Sequence, residues 1–189
     1  MTNKARHGTR GKPKLSFVVG GGAALAAIVL ILLFTVFSSR EKPSETLRPD
    51  DRRSGAPPFR KDGIVQILSP DGVLLTTVTA EFAEREEERV RGLMGRMQMA
   101  ENEGMFFIFE EEEPRAFWMV NTQLPLDIIF IDGKGIIVKI HTRTTPFSSQ
   151  SLESGKPARY VLEVNGGFCE RHGVQEGCRV VSTRNGRFQ

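Results

Sequence analysis

The 189-residue sequence is poor in the side chains that most often carry chemistry: it has two cysteines, three histidines, one tryptophan and one tyrosine. The cysteines, Cys169 and Cys178, have eight residues between them, which excludes a C-x-x-C redox pair. The ligand spacings typical of zinc and calcium sites are missing as well, so no metal and no cofactor is assigned. No serine sits in a G-x-S-x-G setting. Beyond residue 64 only His141 and His172 are available as bases for a nucleophile. His172, in the stretch ERHG, falls at a predicted helix end, where its charge complements the helix dipole. Glu110, Glu111, Glu112 and Glu113 precede Pro114 and read as a solvated turn rather than as two carboxylates across a cleft. No catalytic residue is therefore assigned, and no internal repeat is visible.

Basic charge is also missing where a nucleic-acid-binding fold needs it. Residues 64–189 hold fourteen basic and eighteen acidic side chains, whereas residues 1–14 hold five cations and no acid. The overall charge of +3 thus comes from the N-terminal part of the chain, and nucleic acid is not expected as a partner. The basic tail is followed by 21 residues without a charge, 17–37, dense in Ala, Val, Leu, Ile and Phe. As a helix this run is about 31 Å long, enough for a bilayer core. Five cations before it and the nearly neutral Arg40-Glu41-Lys42 after it place the N-terminus in the cytoplasm. A cleaved signal peptide has a shorter apolar run, about 7–15 residues, and an A-x-A site. Val36-Phe37-Ser38 matches that site poorly. The expected organisation is a cytoplasmic tail at 1–14, a single transmembrane helix or uncleaved signal anchor at 15–38, a flexible linker at 39–63 and a folded domain at 64–189. The linker's four prolines and alternating charges leave too little apolar surface to fold alone.

From residue 64 onward short β-branched or aromatic runs alternate with turn signals, the pattern of a mainly β domain. Strands are predicted at 64–68, 73–80, 105–109, 116–120, 126–131, 136–142, 160–164 and 179–182. The first two flank Pro70-Asp71-Gly72, where Pro presets φ and Gly permits positive φ. A helix is predicted at 83–94, with acids at its start, arginines at its end and Val90, Leu93 and Met94 as its apolar stripe. A second, very short helix is expected at 167–172. Such a domain is a small barrel or a compact two-sheet fold with one or two short helices.

Four ordered blocks, EEERVRGLMGR (86–96), EGMFFIFE (103–110), FWMVNTQLPLDIIFID (117–132) and PARYVLEVNGGFCERHGVQEG (157–177), resemble the DUF192 family, also called UPF0127. The resemblance covers nearly all of residues 64–184. It implies a small β-rich domain, usually exported, from bacteria or archaea, and it brings no assigned activity. Three positions depart from the family pattern: Val120 stands where a lysine follows Phe-Trp-Met, Cys169 where an alanine follows Gly-Phe, and Cys178 where an aspartate follows the late glycine. An oxidising compartment permits a Cys169–Cys178 disulfide. Two free thiols and a redox or metal role are the alternatives.

The stretch FWMVNTQLPLD holds the chain's single tryptophan. As a strand it is apolar on both faces, so Trp118 is either core or the wall of a pocket, and its indole N–H needs a partner. An inward Asp127 needs a donor such as Arg91 or Arg96, in a structural ion pair or a ligand site. The expected binding surface is Arg91, Met94, Arg96, Trp118, Asn121, Thr122 and Asp127, an aromatic face beside convergent polar groups. The functional expectation is a binding or assembly module anchored in the inner membrane through residues 17–37 and facing the periplasm or cell exterior, with an unidentified envelope ligand or protein as partner. Two alternatives remain: a slow envelope enzyme using Asp127 and His141, and a Cu(I) protein using thioethers among Met94, Met97, Met99, Met105 and Met119.

Overall fold

The computed structural model of the protein describes residues 56–185. The predicted tail, the predicted membrane helix and the linker up to residue 55 lie outside the described residues. Among the described residues no helix is long and apolar enough to cross a membrane.

Seven strands form one sheet: β1 (Gly63–Leu68), β2 (Leu74–Ala83), β3 (Glu103–Phe117), β4 (Leu126–Ile131), β5 (Ile137–His141), β6 (Leu152–Asn165) and β7 (Arg179–Arg184). Two short helices, α1 (Glu86–Arg91) and α2 (Phe168–His172), lie in the β2–β3 and β6–β7 connections. The strand order is β5-β4-β6-β3-β2-β1-β7. All neighbours are antiparallel except β2 and β3, whose parallel pairing requires the crossover that carries α1.

The sheet curls until its two edges meet at one corner. Ile136 bridges Arg179, the Ile137 amide donates to the Cys178 carbonyl at 2.9 Å, and the Val180 amide donates to the Gly135 carbonyl at 2.7 Å. Gly135 has φ +81°, and a Cβ there would stand 2.7 Å from the Val180 carbonyl oxygen, so the corner demands glycine. The result is a half-barrel, which fits the barrel-like expectation. Inside the curl pack Val65, Ile67, Val78, Phe82, Phe106, Ile129, Leu162, Val164 and Phe168.

A second apolar cluster lies on the outer face: Leu93, Met105, Phe107, Met119, Leu126, Ile128, Phe130 and Val161. Successive side chains of a strand face opposite ways, so β3, β4 and β6 are buried on both faces. The run LDIIFI of β4 is buried at all six positions. The turn after α1 and the 118–125 loop cover this outer face.

Several predicted boundaries are corrected. The helix expected at 83–94 shrinks to Glu86–Arg91, because Ala83 ends β2 as a wholly buried residue and Gly92 leaves the helical region at φ 51°, ψ −136°. The strands expected at 105–109 and 116–120 are one strand, β3, running to Phe117. The four glutamates do not end it; they sit exposed at a register break between Ile108 and Glu113 against β6. The segment expected to form a linker up to residue 63 already packs on the domain at its end: Phe59 is buried, and the Arg60 amide donates to Glu81 Oε1 at 2.7 Å.

Candidate functional site

The outer cluster is incompletely covered, and where cover is missing a cavity of about 630 Å³ opens. Val90, Leu93 and Met94 line one side, and Phe107, Phe109, Phe117 and Trp118 the other. Phe117 is the hub of the aromatic wall, meeting Phe107 edge-on at 5.1 Å and Phe130 at 5.7 Å. These contacts are perpendicular, the arrangement that the ring quadrupoles favour.

Glu163 forms part of the floor. It sits in β6 among Val161, Leu162 and Val164 and shares the outer face with Val161 by strand alternation. Its cross-strand partners are Met105 on β3 and Ile128 on β4, neither of them a donor. The residue is 5% exposed, and its Oε2 atom has no hydrogen-bond partner among the described residues. Burial pushes the carboxyl up to about 8. Gly92 lies above it: a Cβ at that position would stand 3.4 Å from the Phe107 ring and 3.8 Å from Glu163 Oε2. The helix-ending glycine therefore keeps the approach to the carboxyl open.

The arginines of the lining are occupied to different degrees. Arg115 donates to the Ala158 carbonyl at 2.8 Å, to Glu113 at 3.1 Å and to the Glu111 carbonyl, and lies 3.5 Å over the Phe109 ring. Arg89 donates to the carbonyls of Ile108 and Glu84 and approaches the same ring at 5.3 Å. Arg91 is exposed at the rim, with no side-chain partner among the described residues.

Of the predicted surface the structure brings together Arg91, Met94, Trp118 and Thr122, which all line the cavity. Trp118 is 59% exposed, so the core reading of this residue is wrong: β3 ends at Phe117, and Met119 is the side chain that turns inward. Asn121 is a turn residue at φ 55° whose carbonyl accepts the Gly95 amide, tying the 118–125 loop to the turn after α1. Arg96 is 2% exposed and pairs with the equally buried Glu81 at 3.0 Å. It belongs to a small neighbouring cleft rather than to the main cavity.

Asp127 is the clearest correction. It pairs with neither Arg91 nor Arg96. Wholly buried, it accepts the amides of Arg143 (2.7 Å) and Gly167 (2.9 Å) on Oδ1 and of Cys169 (2.8 Å) on Oδ2. Three backbone donors satisfy the carboxylate and fix the start of α2, so it has no access to a substrate and the Asp127–His141 enzyme is withdrawn. His141 Nε2 is itself bonded to the Glu153 carbonyl at 2.8 Å. The thioethers have different surroundings: Met105 and Met119 are buried, Met119 Sδ accepts the Thr144 hydroxyl at 3.1 Å, Met97 is exposed, and among the described residues only Met94 and Met105 line one cleft together, the small one beside Arg96. Cys169 and Cys178 are buried in the inner cluster and are not bonded to each other in this structure. Burial first, then the Asp127 charge and Cys178, push the Cys169 thiol well above its ordinary value.

The match to the DUF192 model, described as an uncharacterized group, spans residues 66–182. The chain belongs to the DUF192 family. Two crystal structures resemble this DUF192 domain. One, from Sinorhizobium meliloti and provisionally described as a transcription regulator, is 38% identical with a TM-score of 0.63, covering 68% of this chain and 98% of its own. The other, a protein of unknown function from Novosphingobium aromaticivorans, is 29% identical with a TM-score of 0.61, covering 71% and 98% respectively. No curated protein sequence matches.

Sequence reasoning missed Glu163 and the phenylalanine wall. The available signal was the single acid inside the apolar run Tyr160-Val161-Leu162-Glu163-Val164. A charge there must face water, a partner or a ligand.

Proposed function

We propose that this DUF192 protein is a membrane-tethered, outward-facing binding module whose small ligand occupies the cavity over Glu163. One observation carries the reading: a buried carboxyl oxygen without a partner at the floor of an aromatic-lined cavity of about 630 Å³. Native proteins rarely leave such an atom unsatisfied, and the size and makeup suit a small ligand. The uncharged run 17–37 and the basic tail support the tether and its orientation. A role in transcription regulation through DNA contact, which the description of the S. meliloti relative suggests, is opposed by the acidic excess of residues 64–189.

Trp118 is the only tryptophan in the chain and stands at the cavity wall, so the full-length protein in detergent reports on its own site. Its emission is expected to be red-shifted and quenched by iodide when free, and protected when the cavity fills. Trp118→Ala should change stability by less than about 1 kcal/mol while weakening ligand binding, as fits an exposed side chain. A blue-shifted, unquenched emission indifferent to every small molecule tried would end this reading.

A further inference from the structure

We propose that the cavity takes a primary ammonium carried on an aromatic or aliphatic body, with the ammonium against Glu163 and the body between Phe107, Phe117 and Trp118. This assignment deepens the binding reading and rests on it.

The argument starts from what Glu163 lacks. The charged groups lining the same cavity are Glu86, Arg89 and Arg91 from α1 and Glu113 and Arg115 from β3. None reaches Glu163: Arg115 is taken by two carbonyls and Glu113, and Arg89 by two carbonyls. Its strand neighbours Met105 and Ile128 offer no donor. The protein thus holds an acid that it does not itself neutralise. An anionic ligand would accept the proton of the neutral acid, bring no donor for its acceptor positions and make its ionisation costlier still. A carbonyl ligand would accept the proton of the neutral acid but leave the carboxyl's acceptor positions unmet. An ammonium brings three donors and the complementary charge.

The walls select in the same direction. Phe107, Phe109, Phe117 and Trp118 present π-systems, whose faces attract cations. Phe109 already shows this preference with Arg115 stacked over it at 3.5 Å. At the rim Arg91, without a side-chain partner among the described residues, accommodates an acceptor at the far end of the ligand. The proton ledger closes as well. Burial pushes Glu163 up to about 8, so near neutrality the empty site holds its proton. A seated ammonium lowers that value, and the displaced proton passes to the buffer.

The test uses the full-length protein in detergent micelles with phenethylamine, 2-phenylethanol and 3-phenylpropanoate, related aromatic bodies carrying ammonium, hydroxyl and carboxylate. Binding is read by calorimetry at neutral pH in two buffers of different ionisation heat, and by protection of Trp118 from iodide. The amine should bind at least about tenfold tighter than the alcohol and release protons, and Glu163→Gln should cost the amine at least about tenfold more than it costs the alcohol. A wild-type circular dichroism spectrum and melt at pH 5 show that the variant is folded. An Nα-acetyl-lysinamide that binds as tightly would trace the same ammonium to a peptide side chain rather than a free amine. A preference for alcohol or carboxylate, or an amine affinity indifferent to Glu163→Gln, overturns the ammonium assignment and leaves the binding reading intact. If no probe of any charge binds or shields Trp118, both readings fall.

Discussion

An acid held at about 8 by burial, against an ordinary value of 4.5, ties stability to pH in a direction opposite to most carboxylates. Between those two values the unfolded chain has released the Glu163 proton and the folded chain has not, so stability falls as pH rises from about 4.5 to about 8. Glu163→Gln removes that slope. In thermal melts followed by circular dichroism, wild type and variant should coincide within about 1 kcal/mol at pH 5, with the variant ahead by up to about 4 kcal/mol at pH 8. Equal pH dependence in the two proteins would mean that the carboxyl is satisfied after all. Asp127, by contrast, is a buried carboxylate whose two oxygens accept three backbone N–H groups. Asp127→Asn turns an amide NH2 toward at least one of those donors, at a cost of about 2–4 kcal/mol with no separable loss of ligand affinity. A variant of wild-type stability that fails to bind would return Asp127 to the site.

At the scale of elements, α1 is short and is held from outside. Glu88 accepts the amides of Glu84 and Arg85 at 3.2 Å, the Arg85 guanidinium at 2.8 Å and the Arg60 guanidinium at 2.8 Å. Burial pushes the Glu88 carboxyl up, but these donors outweigh it and hold it at about 2. Its contribution is therefore present above about pH 4.5 and is lost as pH falls through about 2. Residues 56–62, the strap that carries Arg60, also bring Phe59 under the Arg96 guanidinium at 5.3 Å, where Nε and Nη1 have no hydrogen bond among the described residues. Phe59→Ala should cost about 3 kcal/mol, measured as a drop in melting temperature, because it opens a void beside a buried cation. A strap that merely lies on the surface would show almost no change. This strap was illegible in the sequence, since proline and charge on either side of Phe59 look like a linker. The strands with clear alternation or continuous apolar runs, β1 and β4, were legible because burial alone shaped them. The outer halves of β3 and β6 were not: Glu110 to Glu113 and Lys156-Pro157 carry no hydrophobic pattern, and the ribbon there is held by interrupted backbone pairing together with bonds from Arg115 and Ser154. The site divides in the same way. Trp118 and Thr122 announced themselves by type, whereas Glu163 acquires meaning only once Gly92 and Phe107 fold over it.

For the whole molecule, the proposed orientation across a membrane and the proposed state of the cysteines are two readings of one question. Five cations before residues 17–37 and almost no net charge after them favour retention of the tail and export of the domain. On the proposed orientation the domain meets an oxidising compartment, and Cys169 and Cys178, both buried in the inner cluster and near enough for one to raise the other's thiol, can be joined there. The raised Cys169 thiol makes spontaneous oxidation of the folded protein slow, so the bond should form during folding after export rather than in purified protein. Full-length protein in spheroplasts should resist alkaline extraction from the membrane, and added protease should digest the domain while sparing a tag at residue 1. Protein isolated from the same cells under denaturing, thiol-blocking conditions should be two hydrogens lighter than its reduced form. Reduction should then lower stability by about 2.5–3 kcal/mol, the loop-closure contribution of a ten-residue crosslink. A protected domain with both thiols alkylated would place the domain in the cytoplasm, and the cavity over Glu163 would then sample the cell's internal amines instead of those of the envelope.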